Sequence, residues 1–574
     1  MTDEALPSAE PTNGSAPAGA RFRRFRRPLF FALIFFVIWI AVEAIVFGVS
    51  GEYLIVVKHI QRHEYARLVA YCALGIAALL VSFAFVWAAA ASRWGYRVFY
   101  IILFAVAIAV EYGYEGVFHR FTQLVDAENA AFAADGMILA DAVRLYTNPL
   151  ALIPIVAFIV VLIPCRPTAR RGWLVLASVL VVLIGFSAAT AYFSHNLYYT
   201  TSLQAFYRTA TEFPMSWKVG SIYQPPKSMF FTSTRTPITY RTATPPVNNI
   251  IFVVDESVRG DHLGIDGYAR DTTPLLAKLS REGKLKNWGI ASSGATCSIE
   301  SNNLLLTGLK DLPDTSFDVY KLPTIFQYAK AAGYKNYYFD GQLSTVWNGK
   351  ASDLDDYEWI NAKNFTALPL YEVDHEIALR VRQIVASSTG NFIWINKRGT
   401  HKPYERAYPK DSNVWQPALY GADDTGFYGN VDHDQLVNSY DNALLYNMQS
   451  FFSPLVDPDI PDATVIVYTS DHGQTLGENG AVVSHCSTTR SEAVVPLFMI
   501  GSDQRMAAAD TSYKAAHHNL FATLLDLMNV PDDARVYPYA PSLLKAHGVD
   551  SIPRSYFAGD LHSSALGQWY PFDQ

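Results

Sequence analysis

Carboxylates and imidazoles gather in a few short runs of this 574-residue chain. Asp255-Glu256-Ser257 closes one apolar run, and Ser470-Asp471-His472-Gly473 closes another. Gly399-Thr400-His401 follows a third, and Ser484-His485 lies in a later loop. A lone aspartate at the end of a strand is ordinarily a helix cap. Taken together, Glu256, Asp471 and His472 offer two carboxylates and one imidazole, a mixed set suited to zinc. A fourth position would remain for a nucleophile or a substrate. The chain has four cysteines and no CxxC pair, so a metal would have to be held by histidines and carboxylates.

The nucleophile candidates lie in Ser292-Ser293-Gly294-Ala295-Thr296-Cys297-Ser298, a small-residue cluster ahead of a plausible helix at Ile299–Leu306. A hydroxyl at a loop-to-helix junction sits where backbone amides can cradle phosphate. An alcohol is a poor nucleophile at neutral pH. Metal coordination favours its alkoxide and neutralises charge on a phosphoryl oxygen.

These residues need a scaffold. From Asn249 onward, β-rich apolar runs (Ile250–Val254, Asn336–Phe339, Phe392–Ile395, Thr464–Tyr468, Leu497–Ile500) alternate with helical patterns at Thr273–Glu282, Pro323–Ala332, His375–Ala386 and Asp434–Leu455. The alternation predicts an α/β domain with a mostly parallel sheet covered by helices on both faces. Ligands of such sheets bind beyond the carboxyl ends of strands, where the polar runs fall.

The N-terminal part has another character. Half of all residues are apolar and mean hydropathy is +0.10, high for a soluble enzyme and low for a pure transporter. Five stretches read as transmembrane helices: Pro28–Val49, Arg67–Ala90, Val98–Tyr114, Pro149–Cys165 and Gly172–Phe193. Ten arginines flank one side of these spans (residues 21–27, 93, 97, 166, 170 and 171), and five lysines or arginines flank the other. By the positive-inside rule the arginine-rich side is cytoplasmic, which puts everything after Phe193 outside. Four segments follow. Residues 1–27 form a disordered cytoplasmic tail and 28–193 a five-helix membrane domain. Residues 194–248 make an aromatic connector lying in the membrane interface, and 249–565 form a periplasmic domain. The outward loop Glu115–Asn148 reads as a solvated hairpin or as a lid over a lipid entry site, with Glu115 and Asn129 as tentative contacts. The net charge of −7 gives no sign of a nucleic-acid partner.

VVDESVRGDHLGIDGYARDTTP at Val253–Pro274 resembles the opening motif of the phosphoethanolamine transferases, the lipid A and mobile colistin-resistance type of the alkaline-phosphatase/sulfatase-like superfamily. GTHKPYERAYP at Gly399–Pro409, YDNALLYN at Tyr440–Asn447 and SDHGQTLGENG at Ser470–Gly480 are similar to further motifs of that family in order and spacing. The resemblance implies an alkaline-phosphatase-like fold in the bacterial inner membrane. It implies that Glu256, Thr296, Asp471 and His472 surround a catalytic Zn2+, and that Thr296 carries the transferred group. His401 and His485 would face the substrate phosphate or a second zinc. The donor would be phosphatidylethanolamine, and the acceptor an envelope lipid or glycan such as lipid A or lipopolysaccharide core.

The chain departs from that pattern in places. Spacing around the nucleophile differs by one, which keeps Ser298 as a rival to Thr296. The segment Phe339–Gln342 through Trp347-Asn348 resembles the lipoteichoic-acid synthases, which makes Trp347 and Asn348 tentative substrate contacts and phosphoglycerol the alternative head group. A sulfatase would need C/S-x-P-x-R, and Cys297 is followed by Ser-Ile-Glu-Ser. Cys297 and Cys486 read as two free thiols, with a bridge between them as the rival in an oxidising compartment.

Overall fold

Apolar chain has no water to bond its backbone, so long apolar runs close their hydrogen bonds internally as helices. The computed structural model has α1 (Ala18–Val46), α2 (Tyr65–Ala91), α3 (Trp94–Phe118), α4 (Leu152–Leu162) and α5 (Gly172–Phe193) in its N-terminal part. It describes residues 18–46, 60, 63, 65–118, 121–122, 147–169, 171–193, 201–218, 235–310, 321–342, 356–360, 368–419, 431–460, 463–478, 483–558 and 568–573. Among these, four helical segments are long and apolar enough to cross a membrane: Arg27–Ile45, Leu68–Ala91, Trp94–Gly116 and Gly172–Thr190. Four of the five expected spans reach that length; the one at Pro149–Cys165 forms the shorter apolar helix Pro149–Leu162. At about 1.5 Å per residue it reaches roughly 21 Å, against a hydrocarbon core of about 30 Å.

Polar side chains tie the bundle together. Arg97, counted above as a loop charge, is buried at the start of α3. It donates to the carbonyls of Ala90 (2.8 Å), Leu162 (2.8 Å) and Cys165 (2.7 Å), at the carboxyl ends of α2 and α4 where helix dipoles favour a cation. The aromatic connector contains α6 (Ser202–Lys218). Its first half is buried against α3 and α5, with Leu203, Gln204, Ala205, Arg208 and Thr209 enclosed. Glu43 of α1 accepts from the backbone N–H and hydroxyl of Ser202 and from Trp39 Nε1, which satisfies the first turn of α6.

In the C-terminal part, successive side chains of each strand point to opposite faces of a sheet, and both faces are apolar. The strands are β1 (Asn249–Asp255), β2 (Leu285–Ser292), β3 (Lys335–Asp340), β4 (Glu358–Ile360), β5 (Asn391–Asn396), β6 (Thr464–Ser470) and β7 (Val494–Gly501). They lie in the order β2-β7-β6-β1-β5-β3-β4, with β7 antiparallel to both neighbours and the other pairings parallel. Ile250, Phe252 and Val254 face one core, with α8 (Ser298–Thr307), α9 (Ile325–Ala331) and α12 (His518–Leu527). Ile251 and Val253 face the other, with α7 (Pro274–Arg281), α10 (Val373–Ser387) and α11 (His433–Val456). A hairpin of β8 (Ser555–Ala558) and β9 (Gln568–Pro571) packs beside the loop before α8.

All five expected strands form. β2 lies outside the expected strands: Leu-Lys-Asn-Trp-Gly-Ile-Ala-Ser alternates poorly because a bulge between Asn287 and Gly289 interrupts it. The bulge is fixed by Gly289 at φ +70° and by Asn287 Nδ2, which donates to Asp266 at 2.6 Å.

Candidate active site

Two neighbouring strand ends deliver the chemistry to one edge. Glu256 directly follows β1, and Asp471 and His472 directly follow β6, the neighbour of β1. All three are buried, and one ligand atom from each falls within 4.8 Å of the others. His472 Nε2 is 3.5 Å from Glu256 Oε1 and 3.5 Å from Asp471 Oδ2. Asp471 Oδ2 is buried without a hydrogen-bond partner. Burial and the adjacent Asp471 carboxylate push Glu256 well above the usual carboxylate range. Two ligands on one tetrahedral zinc stand about 3.3 Å apart, so the residues present fit such an ion in spacing, charge and donor type. His472 Nδ1 donates to the Gly473 carbonyl at 2.6 Å, which leaves Nε2 as a bare lone pair facing the cluster.

The hydroxyl that meets this cluster belongs to Ser298. It opens α8, with Oγ 3.0 Å from His472 Nε2 and 3.4 Å from Glu256 Oε2. Thr296 has another partner for its hydroxyl. Its side chain is fully buried and donates to the Ser487 carbonyl at 2.8 Å. Its backbone is pinned on both sides, N–H to Phe557 O at 3.0 Å and carbonyl from Cys486 N–H at 2.8 Å. Cys297 and Cys486 form a disulfide, so the expectation of two free thiols is corrected.

His401 and His485 also come to this edge. The His485 ring stacks on His472 with centroids 4.4 Å apart, and its Nδ1 donates to Gln474 at 3.2 Å. Burial, then the charge of Arg398, lowers His401 to about 3. Burial, then the neighbouring His472, holds His485 well below its ordinary value. Both shifts favour the neutral imidazole beyond what the unperturbed value near 6.5 does. Glu115 is half-buried in the last turns of α3. Asn129, Trp347 and Asn348 lie outside the described residues.

Several supporting residues carried no clear signal in the sequence. Gln342, within the segment already singled out, donates to Glu256 Oε2 at 2.8 Å and to the Lys397 carbonyl at 2.5 Å. His517 Nδ1 accepts from the Gly294 N–H at 3.0 Å, and Nε2 lies 3.0 Å from Thr469 Oγ1, so a neutral imidazole braces the loop before α8. Lys397 is buried against Asp255, which also accepts from Tyr468 at 2.7 Å and from the Glu256 N–H at 2.9 Å. Gly399 sits at φ +54°, and a Cβ there would come within 2.1 Å of Asp255 Oδ1. Beside the site, Asp441 accepts from Tyr268 (2.8 Å) and Arg270 (2.7 Å) and lies 2.8 Å from His262 Nδ1. Much of the motif at 253–274 thus braces the site from outside.

Residues 248–530 match the sulfatase family model. The Kdo(2)-lipid A phosphoethanolamine 7''-transferase of Escherichia coli K12 is 26% identical over 238 residues, 40% of this chain and 39% of that protein. The phosphatidylethanolamine transferase Mcr-1 of Escherichia coli is 25% identical over 320 residues, 50% of this chain and 54% of that protein. The chain therefore spans about half or less of the length of these curated relatives. The integral membrane lipooligosaccharide phosphoethanolamine transferase A of Neisseria meningitidis shares the fold at a TM-score of 0.53 and 18% identity, across 90% of this chain and 96% of that one. Over residues 248–530 the chain is thus similar to the sulfatase family, and the curated relatives that align with it are phosphoethanolamine transferases.

Proposed function

We propose that this chain is a membrane-bound, zinc-dependent phosphoethanolamine transferase. It would sit in the bacterial inner membrane, with its amino end cytoplasmic and its C-terminal domain periplasmic, an odd number of crossings that the short helix α4 would complete alongside the four long ones, spanning where the bilayer thins around it. The donor is phosphatidylethanolamine, and the acceptor is a hydroxyl or phosphate of an envelope lipid or glycan such as lipid A or lipopolysaccharide core. The observation that carries this reading is the Ser298 hydroxyl standing at the buried Glu256–Asp471–His472 cluster.

Glu256, Asp471 and His472 would hold one zinc ion. When bound, zinc supplies positive charge that lowers the pKa of a nearby hydroxyl and stabilises a phosphoryl oxygen. Ser298 Oγ, in place of Thr296, attacks the phosphorus of the donor. The bond from phosphorus to the diacylglycerol oxygen breaks, and that oxygen leaves with a proton as diacylglycerol. Phosphoethanolamine stays on Ser298 until the acceptor oxygen displaces it. His401 and His485, whose Nδ1–H groups are committed to the Lys402 carbonyl and to Gln474, present Nε2 as an acceptor and would take the acceptor's proton as it attacks. The supporting amides are those of the first turn of α8, which point at an anion bound beside Ser298.

A second reading, transfer of phosphoglycerol, draws on Gln342, which lies in the segment similar to lipoteichoic-acid synthases and binds Glu256 directly. Intact-protein mass after incubation with phosphatidylethanolamine, then with phosphatidylglycerol, tests both. A phosphoethanolamine adduct mapped to Ser298 supports the first reading, and a phosphoglycerol adduct alone replaces it with the second. No adduct from either lipid would sink the covalent route.

A further inference from the structure

Two loops from distant parts of the chain meet beside the cluster. One ends in Ser298 and the other carries His485. Cys297, just before Ser298, is bridged to Cys486, just after His485, across a sequence separation of 189. On either side of the bridge, Cys486 N–H donates to the Thr296 carbonyl at 2.8 Å and Thr296 Oγ1 donates to the Ser487 carbonyl at 2.8 Å. The second loop is held from behind by Glu492, which accepts from Ser487 N–H at 2.7 Å and from Ser487 Oγ at 2.7 Å. Cys486 itself sits at φ +71°, where a non-glycine residue stays only when its surroundings hold it.

We infer that Thr296 and the Cys297–Cys486 bridge form a positioning stitch, which keeps the Ser298 hydroxyl and the His485 imidazole in register. The inference rests on Ser298 being the nucleophile. One covalent and two hydrogen-bonded links fall on residues adjoining both groups, so neither group can shift without the other. Thr296 is a positioning residue. Its hydroxyl serves the carbonyl of Ser487 and does not touch the reacting phosphorus. Transfer therefore runs on the bridged, oxidised form. Reduction by a water-soluble phosphine cleaves the bridge to two thiols, with the phosphine taking oxygen from water to become its oxide, and it frees one of the three links.

The test uses the full zinc-loaded chain in detergent with phosphatidylethanolamine. Thr296→Val should slow adduct formation about 10- to 100-fold, the scale expected for misplacement by a fraction of an ångström to an ångström. The donor KM should stay within about twofold, because the loss falls on positioning and not on uniform binding. Thr296→Ser, which keeps the hydroxyl, should restore most of the rate. Phosphine should slow the wild type reversibly but leave a Cys297→Ala, Cys486→Ala double variant unaffected at its own lowered rate. Backbone hydrogen exchange over residues 484–488 should quicken in Thr296→Val and in the reduced protein. Wild-type rate with unchanged exchange in Thr296→Val would overturn the stitch. So would loss of the adduct in Thr296→Val while Ser298→Ala retains it, since Thr296 would then be the nucleophile. If the wild type forms no adduct at all, the transferase reading fails, and exchange over 484–488 still decides the stitch.

Discussion

Ser298 Oγ stands 3.0 Å from His472 Nε2, on the ring nitrogen left open because Nδ1 is committed to the Gly473 carbonyl. The position follows from α8 beginning at Ser298, so the hydroxyl leaves the first turn of the helix toward the ends of β1 and β6. Ser298→Ala should abolish the adduct and lower turnover by about 10³-fold or more, as loss of a nucleophile does elsewhere. Ser298→Thr, which keeps an alcohol at the same atom, should retain measurable transfer. Turnover of Ser298→Ala near that of the wild type would remove this residue from the chemistry.

Metal content gives an independent measurement. Asp471 Oδ1 accepts from the Ser257 N–H at 3.2 Å and from the His472 N–H at 2.7 Å, while Oδ2 has no partner. Asp471→Asn should preserve the fold, since its amide oxygen can take both backbone bonds, yet lose zinc by elemental analysis. Chelation of the wild type should lower its melting temperature. Ligand linkage puts the lost stability at about 3–4 kcal/mol when free zinc exceeds its Kd by roughly 100- to 1,000-fold. Full zinc occupancy in folded Asp471→Asn would contradict the proposed ligand set.

Gly399→Ala should be costly although it adds one methyl group. The residue has φ +54° and faces Asp255 Oδ1 at 2.1 Å from the position of the new carbon. Asp255 cannot move away without leaving Lys397, Tyr468 and the Glu256 amide. A loss of about 2–4 kcal/mol is expected from the combined strain and disturbed buried network. Thermal denaturation of the variant checks it, and a melting temperature equal to that of the wild type would show that the loop relaxes.

Glu492 provides a pH dependence away from the metal ligands. Burial raises its carboxyl from 4.5 to about 7, against the lowering effect of bonds from Thr475 and Ser487 and the charge of Lys402. A carboxyl with a raised folded pKa stabilises the protein fully below its unfolded value. That contribution is lost as pH climbs from 4.5 through about 7. Glu492→Gln cannot ionise, so its stability relative to the wild type should improve from pH 5 to pH 8, by up to about 3 kcal/mol. Parallel melting curves for the two proteins at both pH values would refute the ionisation.

Orientation in the membrane rests on the ten arginines that flank one side of the spans. A reporter active only in the periplasm, fused after Gln574, should be active. Cytoplasmic activity of a matching reporter at the same point would reverse the topology.

Much of this architecture was legible in the chain. Ile250–Val254 and Thr464–Tyr468 are β-branched runs that end abruptly in polar residues, and they became the central strands that present Glu256, Asp471 and His472. What could not be read depended on partners far away in sequence. Thr296 and Ser298 are both small alcohols two residues apart. Only the Ser487 carbonyl, the Phe557 carbonyl and the bridge to Cys486 decide which one turns inward. His517 becomes a brace of the Gly294 amide only once β2 is placed beside the segment Ala515–His517, and β2 is itself masked by its bulge. The length of the span at Pro149–Leu162 turned on where its helix stops, which apolarity alone does not fix.

The buried Lys397 has a consequence for how the protein acquires its ion. Its ammonium neutralises Asp255 beneath the ligand shell and fixes the peptide that carries Glu256, while the Lys397 carbonyl helps orient Gln342 onto the same glutamate. The support beneath Glu256 is thus paired from within the chain. On the proposed zinc reading, such a scaffold would fold before it is loaded, and chelation would empty the cluster without unfolding the chain.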